Sequence, residues 1–346
     1  MTRRFRLRPR RRPVPRKAAA GSRHAAGRAG LGLAALVALL ALWVVFAWRG
    51  PGPHDKLTSV ILDRGAGLSQ IADELSDAGV IRSRALFMTA ARLSGAAAQL
   101  KAGEYEFPRG ASMARILDDI RAGRVVRHLV TVPEGWTSEM AAEAVARQPV
   151  LAGAAAAPAE GSLLPDTYQV QRGEDRAAVL RRMADAQDAL MAELWPRRQP
   201  GLPFTTPAEA LTLASIVEKE TGVAAERPRV AAVFVNRLRA GMRLESDPTI
   251  IYGISKGRPL GRGLLASEVA ATTPYNTYRI DGLPPTPIAN PGRAAIEAVL
   301  NPPKTADLFF VADGTGGHVF ASTYPDHLRN VARWRQVERS RAGDAR

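Results

Sequence analysis

Polar and apolar positions along the 346-residue chain change period several times, and each change predicts an element. Leu31 to Trp48 (LGLAALVALLALWVVFAW) is an apolar run without a charge. As a helix it measures about 27 Å, enough for the hydrocarbon core of a bilayer with little tilt. Gly50 to His54 (GPGPH) reads as a short linker. From Leu57 to about Gly123 the pattern is that of a small α/β unit. It predicts the strand SVIL, a helix with Leu68, Ile71, Ala72 and Leu75 on one face, and a second helix from Ala85 to Leu93. The strand GEYEF follows, then a helix with Met113, Ile116, Leu117 and Ile120 as its stripe. PRGAS (Pro108 to Ser112) and, after the strand HLVTV, PEGWT (Pro133 to Thr137) each precede a helix with a Ser or Thr cap. They form a weak internal echo, two copies being too few for a solenoid.

Residues 147–160 are Ala-rich and read as a loose connection, and a larger domain begins near Glu160. Its best-delimited helix is TTPAEALTLASIVEKETG. Thr206 suits the N-cap, Pro207 the first helical position, Glu209 a capping box, and Gly222 a left-handed close. At 100° per residue Leu213, Val217, Ala210, Thr221, Ala214 and Leu211 share one face, and Glu218 falls within it. An ionised carboxylate there is costly unless it is paired, hydrated in a cleft or kept protonated, and a protonated carboxyl is what acid catalysis on a glycosidic bond needs. Glu220 also has apolar neighbours, Ile216 and Leu213, on the opposite edge of the stripe. The two carboxyls point roughly 160° apart, so they cannot share one site, and the wheel does not choose between them. A solvated or salt-bridged edge is the ordinary state of either. Lys219 points to the polar face.

Val230, Val233, Phe234 and Leu238 mark a further helix that stops at Gly241, and RLESDPTIIYGI mixes turn and strand signals. Thr272 to Pro291 holds five prolines in twenty residues with little periodicity, and a long irregular loop in a compact domain is usually functional. LFFVADGTGGHVFA reads as a hairpin turning at Asp313 to Gly317, and an Arg-rich helix follows from about Pro325.

Charge changes the picture at the N-terminus. The first thirty residues hold ten Arg and Lys17 and no acid, so eleven of the formal fifteen positive charges lie in a tail and only four belong to the rest. The tail lacks the aromatic interleaving that base stacking needs, so no nucleic acid is expected. Beside an apolar span it suits a topology signal and anionic headgroups. The positive-inside rule keeps residues 1–28 cytoplasmic and exports residues 50–346. The run is long for a signal peptide and WRGPGPHD offers no small-x-small cleavage site, so an uncleaved single-pass anchor is expected. There is no Cys, which removes disulfides and thiolate chemistry. No two of the five His stand at metal-ligand spacing and no P-loop or GxGxxG follows a strand, so neither metal nor nucleotide cofactor is expected.

PDTY, LASIVEKETG, VFVNRL, SDPTIIYG, TPYNTY, GLPPTPIANPG and FFVADGTGGHVF occur in this order, and together they resemble the endolytic murein transglycosylases, the MltG or YceG-like family. The resemblance covers about residues 55 to 335. Leu57 to Ala85 also resembles the start of LysM-type wall-binding modules, with a packing or dimerisation role as the alternative. The expected fold is α+β: a single transmembrane helix (29–49), a linker (50–56), a small LysM-like α/β domain (57–125), a connecting segment (126–159) and a larger mixed catalytic domain (160–340).

The resemblance implies cleavage between N-acetylmuramic acid and N-acetylglucosamine without water, on glycan strands close to their synthases at the inner membrane, with the catalytic domain periplasmic. It implies Glu218, the first Glu of its helix motif, as the catalytic acid. One carboxyl then suffices, because the muramic C6 hydroxyl attacks C1 in place of water, whereas hydrolases use two. Asp166, Tyr168, Asp247, Tyr252, Tyr275, Asn276 and Tyr278 are the candidate sugar contacts. The alternatives are turn capping for the two Asp and core packing for the tyrosines. Two other functions fit the same residues: a tethered wall-binding scaffold, or a hydrolytic muramidase pairing Glu218 with Asp247 or Glu245.

Overall fold

The computed structural model describes residues 21–344, so most of the basic tail lies outside the described residues. The chain divides into two compact units, one ending at Val125 and the other beginning at Val126.

In the first unit α1 (Gly21–Arg49) carries the apolar run and is followed by β1 (Thr58–Leu62), α2 (Leu68–Asp77), α3 (Arg84–Leu93), β2 (Gly103–Phe107) and α4 (Met113–Ala122). Among the described residues no helix is long and apolar enough to cross a membrane, the continuously described side chains of α1 beginning at Leu33. The two strands pair antiparallel with Thr58 opposite Phe107. Alternation turns Val60, Leu62, Tyr105 and Phe107 onto helix residues Leu75, Phe87, Ile116 and Ile120. Ser83 and Ser112 cap α3 and α4, and Gly123 closes α4 at φ 72°. Residues 50–54 are strapped to this unit: Gly52 N–H donates to Gly110 O (2.9 Å) and the His54 ring pairs with Pro108 O (2.7 Å).

The second unit opens with β3 (His128–Thr131), α5 (Ser138–Ala146) and β4 (Thr167–Val170), the strands pairing antiparallel. Then come α6 (Arg176–Leu194), α7 (Pro207–Glu220), α8 (Arg227–Arg239), α9 (Asp247–Ser255), the short α10 (Ala266–Ala270) and α11 (Arg293–Leu300). The unit ends with β5 (Phe309–Ala312), β6 (His318–Ala321) and α12 (Tyr324–Asp344). One core lies beneath β3, β4, α5 and α6, with Val130, Val145, Leu163, Val170, Val179 and Met183. The larger core is built where α7, α8 and α11 meet, with Leu213, Ile216, Val217, Val230, Phe234, Ile296 and Val299. Residues 272–291 carry no regular element and are pinned by buried side chains instead. Asn290 donates to Trp136 O and accepts from Leu163 N–H and Ser138 Oγ.

Three local expectations change. α7 begins as its sequence predicts, with Thr206 accepting from Glu209 N–H and Glu209 closing the capping box. It does not end on a left-handed glycine: Thr221 is extended at φ −140°, and the chain leaves the helix directly after Glu220. The helix is also buried almost all round, Thr212, Ser215 and Ile216 included, so the face drawn from its periodicity is too narrow. SDPTIIYGIS is a helix rather than a turn and strand. Asp247 and Pro248 in the first turn outweigh the β-branched Thr249, Ile250 and Ile251, while the Ser246 hydroxyl at the cap position is spent on Glu220.

Candidate active site

The two carboxyls of the EKE segment enter different surroundings, as their angular separation requires. Glu218 turns toward the start of α11. Its Oε2 accepts from the Gly292 N–H (2.9 Å), the cap residue of that helix, and its Oε1 meets Arg227 Nη2 at 3.3 Å. Only 5% of the side chain is exposed, and 11% of that of Arg227. Burial raises the Glu218 carboxyl above its ordinary range, against the bond from Gly292 and the Arg227 charge. The N–H at the start of α11 and the buried guanidinium hold this carboxyl in one orientation. Lys219 beside it reaches the Gly135 carbonyl (3.2 Å) rather than standing free in solvent.

Glu220, the last residue of α7, lines a cleft of about 530 Å³ together with Arg237, Glu245, Asp247, Tyr278, Tyr324 and His327. Its Oε1 accepts a short hydrogen bond from Ser246 Oγ. Burial pushes its carboxyl up to about 7, opposed by the Ser246 bond and reinforced by the neighbouring Asp247 charge; His318 and Arg237 pull the other way. Near neutral pH this group is therefore poised between acid and base.

The residues around Glu220 hold it by several routes. Ser246 N–H donates to Thr277 Oγ1 (2.9 Å), which in turn pairs with Thr249 Oγ1 (2.9 Å), so the Ser246 backbone is locked from both sides. Asp247 follows directly and accepts from the Tyr278 hydroxyl (2.9 Å). Glu245 sits at φ 53°, a left-handed backbone that a glutamate rarely adopts, and its carboxylate meets Arg237 Nη1 at 3.0 Å. Arg237 is itself buried and donates to Leu244 O and Leu308 O, tying the cleft floor to β5.

Of the residues singled out from the sequence, Asp247 and Tyr278 are the two that line this cleft. Asn276 is fully buried; its amide donates to the carbonyls of Val269 and Ala271 and its oxygen accepts from Tyr278 N–H, so it shapes the loop. Tyr252 belongs to the larger core, its hydroxyl reaching Glu160, and Tyr275 packs edge-on against it with its own hydroxyl on Thr286. Tyr168 donates to Leu164 O (2.8 Å), and burial raises its phenol to about 12. Asp166 is exposed and accepts from the Thr167 N–H beside it, a turn role. Arg237, Tyr324 and His327 are cleft residues that were not among the candidates, and Glu220 was weighed on the wheel beside Glu218. The one available signal was Glu220 itself, whose apolar neighbours on the wheel equal those of Glu218.

Fold and cleft together define an α+β protein in which a capped, buried helix ends in two carboxyls raised by burial, one of them on a polar groove. A family model described as the YceG-like family matches residues 60–333. Endolytic murein transglycosylases of Streptococcus pneumoniae (strain D39) and Bacillus subtilis (strain 168) are 30% and 28% identical to it, each over 80% of this chain. The matches span 58% of the pneumococcal protein and 85% of the Bacillus one. A crystal structure of a YceG-like protein from Listeria monocytogenes superposes with a TM-score of 0.52 at 27% identity, covering 79% of this chain and 98% of that one. The chain belongs to the YceG-like family.

Proposed function

We propose that the protein is a lytic transglycosylase that cuts within peptidoglycan glycan strands, with Glu218 as its single acid–base group. The observation that carries the reading is a buried carboxyl, raised above its ordinary range, near the end of a capped helix, in a family whose named relatives are endolytic murein transglycosylases. In its neutral form Glu218 gives its proton to the glycosidic oxygen as the bond from muramic C1 to that oxygen breaks. As carboxylate it then takes the proton of the C6 hydroxyl while O6 closes on C1, leaving a 1,6-anhydro end and a restored acid. Proton and electron pairs balance with no water consumed.

Glu220 is the second candidate, on the neighbouring cleft, whereas Glu218 is the first Glu of the family's helix motif. Gly292, directly after the proline-rich loop, and Arg227 hold the Glu218 carboxyl in one orientation. We assign Asp247 and Tyr278, in the cleft lined by Glu220, to orient sugar, while Asp166, Tyr168, Tyr252, Tyr275 and Asn276 support the fold. The hydrolytic alternative needs a second free carboxylate to activate water. Glu245 is paired with Arg237 and Asp247 accepts from Tyr278, which favours internal attack. Around this chemistry we place α1 as a single-pass anchor with the tail cytoplasmic and both folded units outside. The first unit serves as a LysM-like glycan contact, and nascent strands near their synthases are the substrate. Digestion of purified sacculi followed by mass spectrometry tests the reading. Anhydro-muramic ends are expected, and products heavier by one water at each cut would replace the lyase by a hydrolase.

A further inference from the structure

The last turns of α1 are part of the first folded unit. Ala47 is 2% exposed and shares its core with Phe87 and Ile116, and Gly50 N–H closes the helix on Phe46 O. Along α3, Phe87 and Ala91 face that core. Leu86, Thr89, Ala90 and Leu93 stand at i, i+3, i+4 and i+7 and so form a second face of the same helix. This second face and Val44, Val45, Trp48 and Arg49 of α1 enclose an apolar groove of about 610 Å³, a size that takes small ligands. Leu93 at its edge is 85% exposed.

We propose that this groove is a lipid site: it takes the acyl chain of a phospholipid in the outer leaflet and seats the first unit on the bilayer. The proposal rests on the reading of α1 as a membrane anchor and goes beyond it. Continuity identifies the occupant. Leu33, Leu36, Leu39, Leu40, Leu42, Trp43 and Phe46 of α1 are each more than half exposed, and the same helix supplies one wall of the groove. Whatever covers those side chains reaches Val44 to Trp48, which occupy the last ~7 Å of the apolar run. That is the depth at which acyl chains meet headgroups, where Trp48 is at home and the Arg49 guanidinium meets phosphate. The folded unit begins at Ala47 with no spacer, and the strapped residues 50–54 cannot lift α3 away. A bound peptide is disfavoured, because the Thr89 hydroxyl, the Arg49 guanidinium and the Trp48 indole N–H are the few polar side-chain groups in the lining to meet its backbone groups.

The chain has no cysteine, so single nitroxide labels can be placed without background. Full-length Thr89→Cys, Leu93→Cys, Leu39→Cys and Asp281→Cys variants would be labelled and reconstituted in phosphatidylethanolamine–phosphatidylglycerol vesicles. Accessibility to oxygen and to an aqueous nickel chelate is then read for each. The expected result is that Thr89 and Leu93 share the high oxygen-to-nickel ratio of Leu39, while Asp281 stays aqueous. In a Leu86→Glu background the Thr89 ratio should shift toward that of Asp281. Aqueous readings at Thr89 and Leu93 with Leu39 in lipid would overturn the lipid site and leave the anchor standing. An aqueous Leu39 would remove the anchor and the site with it. Dipolar broadening at Leu93 that disappears on dilution with unlabelled chain would assign the groove to a second copy, against the proposal.

Discussion

Two glutamates two residues apart on α7 should respond to the same substitution with opposite signs of stability. Glu220 has a folded-state pKa of about 7 against an ordinary 4.5. Below pH 4.5 both folded and unfolded chains are protonated there and the group costs nothing. As pH rises the unfolded chain ionises first, so the folded state loses stability until its own carboxyl ionises near 7. The difference corresponds to roughly 3 kcal/mol at pH 8, as an upper value. Glu220→Gln removes that loss and keeps an acceptor for Ser246 Oγ, so it should stabilise the second unit by up to about 3 kcal/mol at pH 8 and by almost nothing at pH 4.5. Glu218→Gln leaves the buried Arg227 without its carboxylate partner, Glu134 remaining 3.8 Å away. It should destabilise by about 1–3 kcal/mol at pH 8. Urea unfolding followed by the fluorescence of Trp136, Trp195 and Trp334, all in the second unit, reads both. A Glu220→Gln protein less stable than wild type at pH 8, or equally shifted at both pH values, would refute the reasoning.

Other outcomes follow from the same contacts. Lytic turnover should fall along a limb above the ordinary carboxyl range as pH rises, because burial raises Glu218 and its neutral form is the proton donor. Ser246→Ala removes a bond that favours the ionised form of Glu220, so the pH at which the Glu220 stability loss levels off should move alkaline by about one pH unit; an unmoved profile would detach Glu220 from Ser246. Asn276→Ala should cost about 3 kcal/mol of stability by stripping donors from buried carbonyls, seen as a lower urea midpoint, with KM little changed in whatever folded fraction remains.

Much of the architecture was legible because its signals are local. The capping box at Thr206 and Glu209, the serine cap of α4, and the strands of the β5–β6 hairpin need only neighbours a few residues away. α9 was hidden because Thr249, Ile250 and Ile251 have strand character, and the bond that fixes its start, from Ser246 N–H to Thr277, comes from a distant residue. The site was half legible. Helix geometry reduced the acid to Glu218 or Glu220, but the partners that separate them are Arg227, Ser246 and Gly292, set in place only by folding. Asn276 and the tyrosines look like sugar ligands in a proline-rich loop. The loop has no ladder of its own, so its backbone groups recruit those side chains as internal partners.

The central claim is that Glu218, and not Glu220, moves the proton. Its most direct test is the release of anhydro-muramic ends from purified sacculi by the wild type, Glu218→Gln and Glu220→Gln full chains, each normalised to folded protein. Loss of a general acid–base group predicts a fall of about 10²–10⁴-fold for Glu218→Gln. Glu220→Gln should keep activity close to wild type once its folded fraction is counted. Full activity in Glu218→Gln together with its abolition in Glu220→Gln would contradict the assignment.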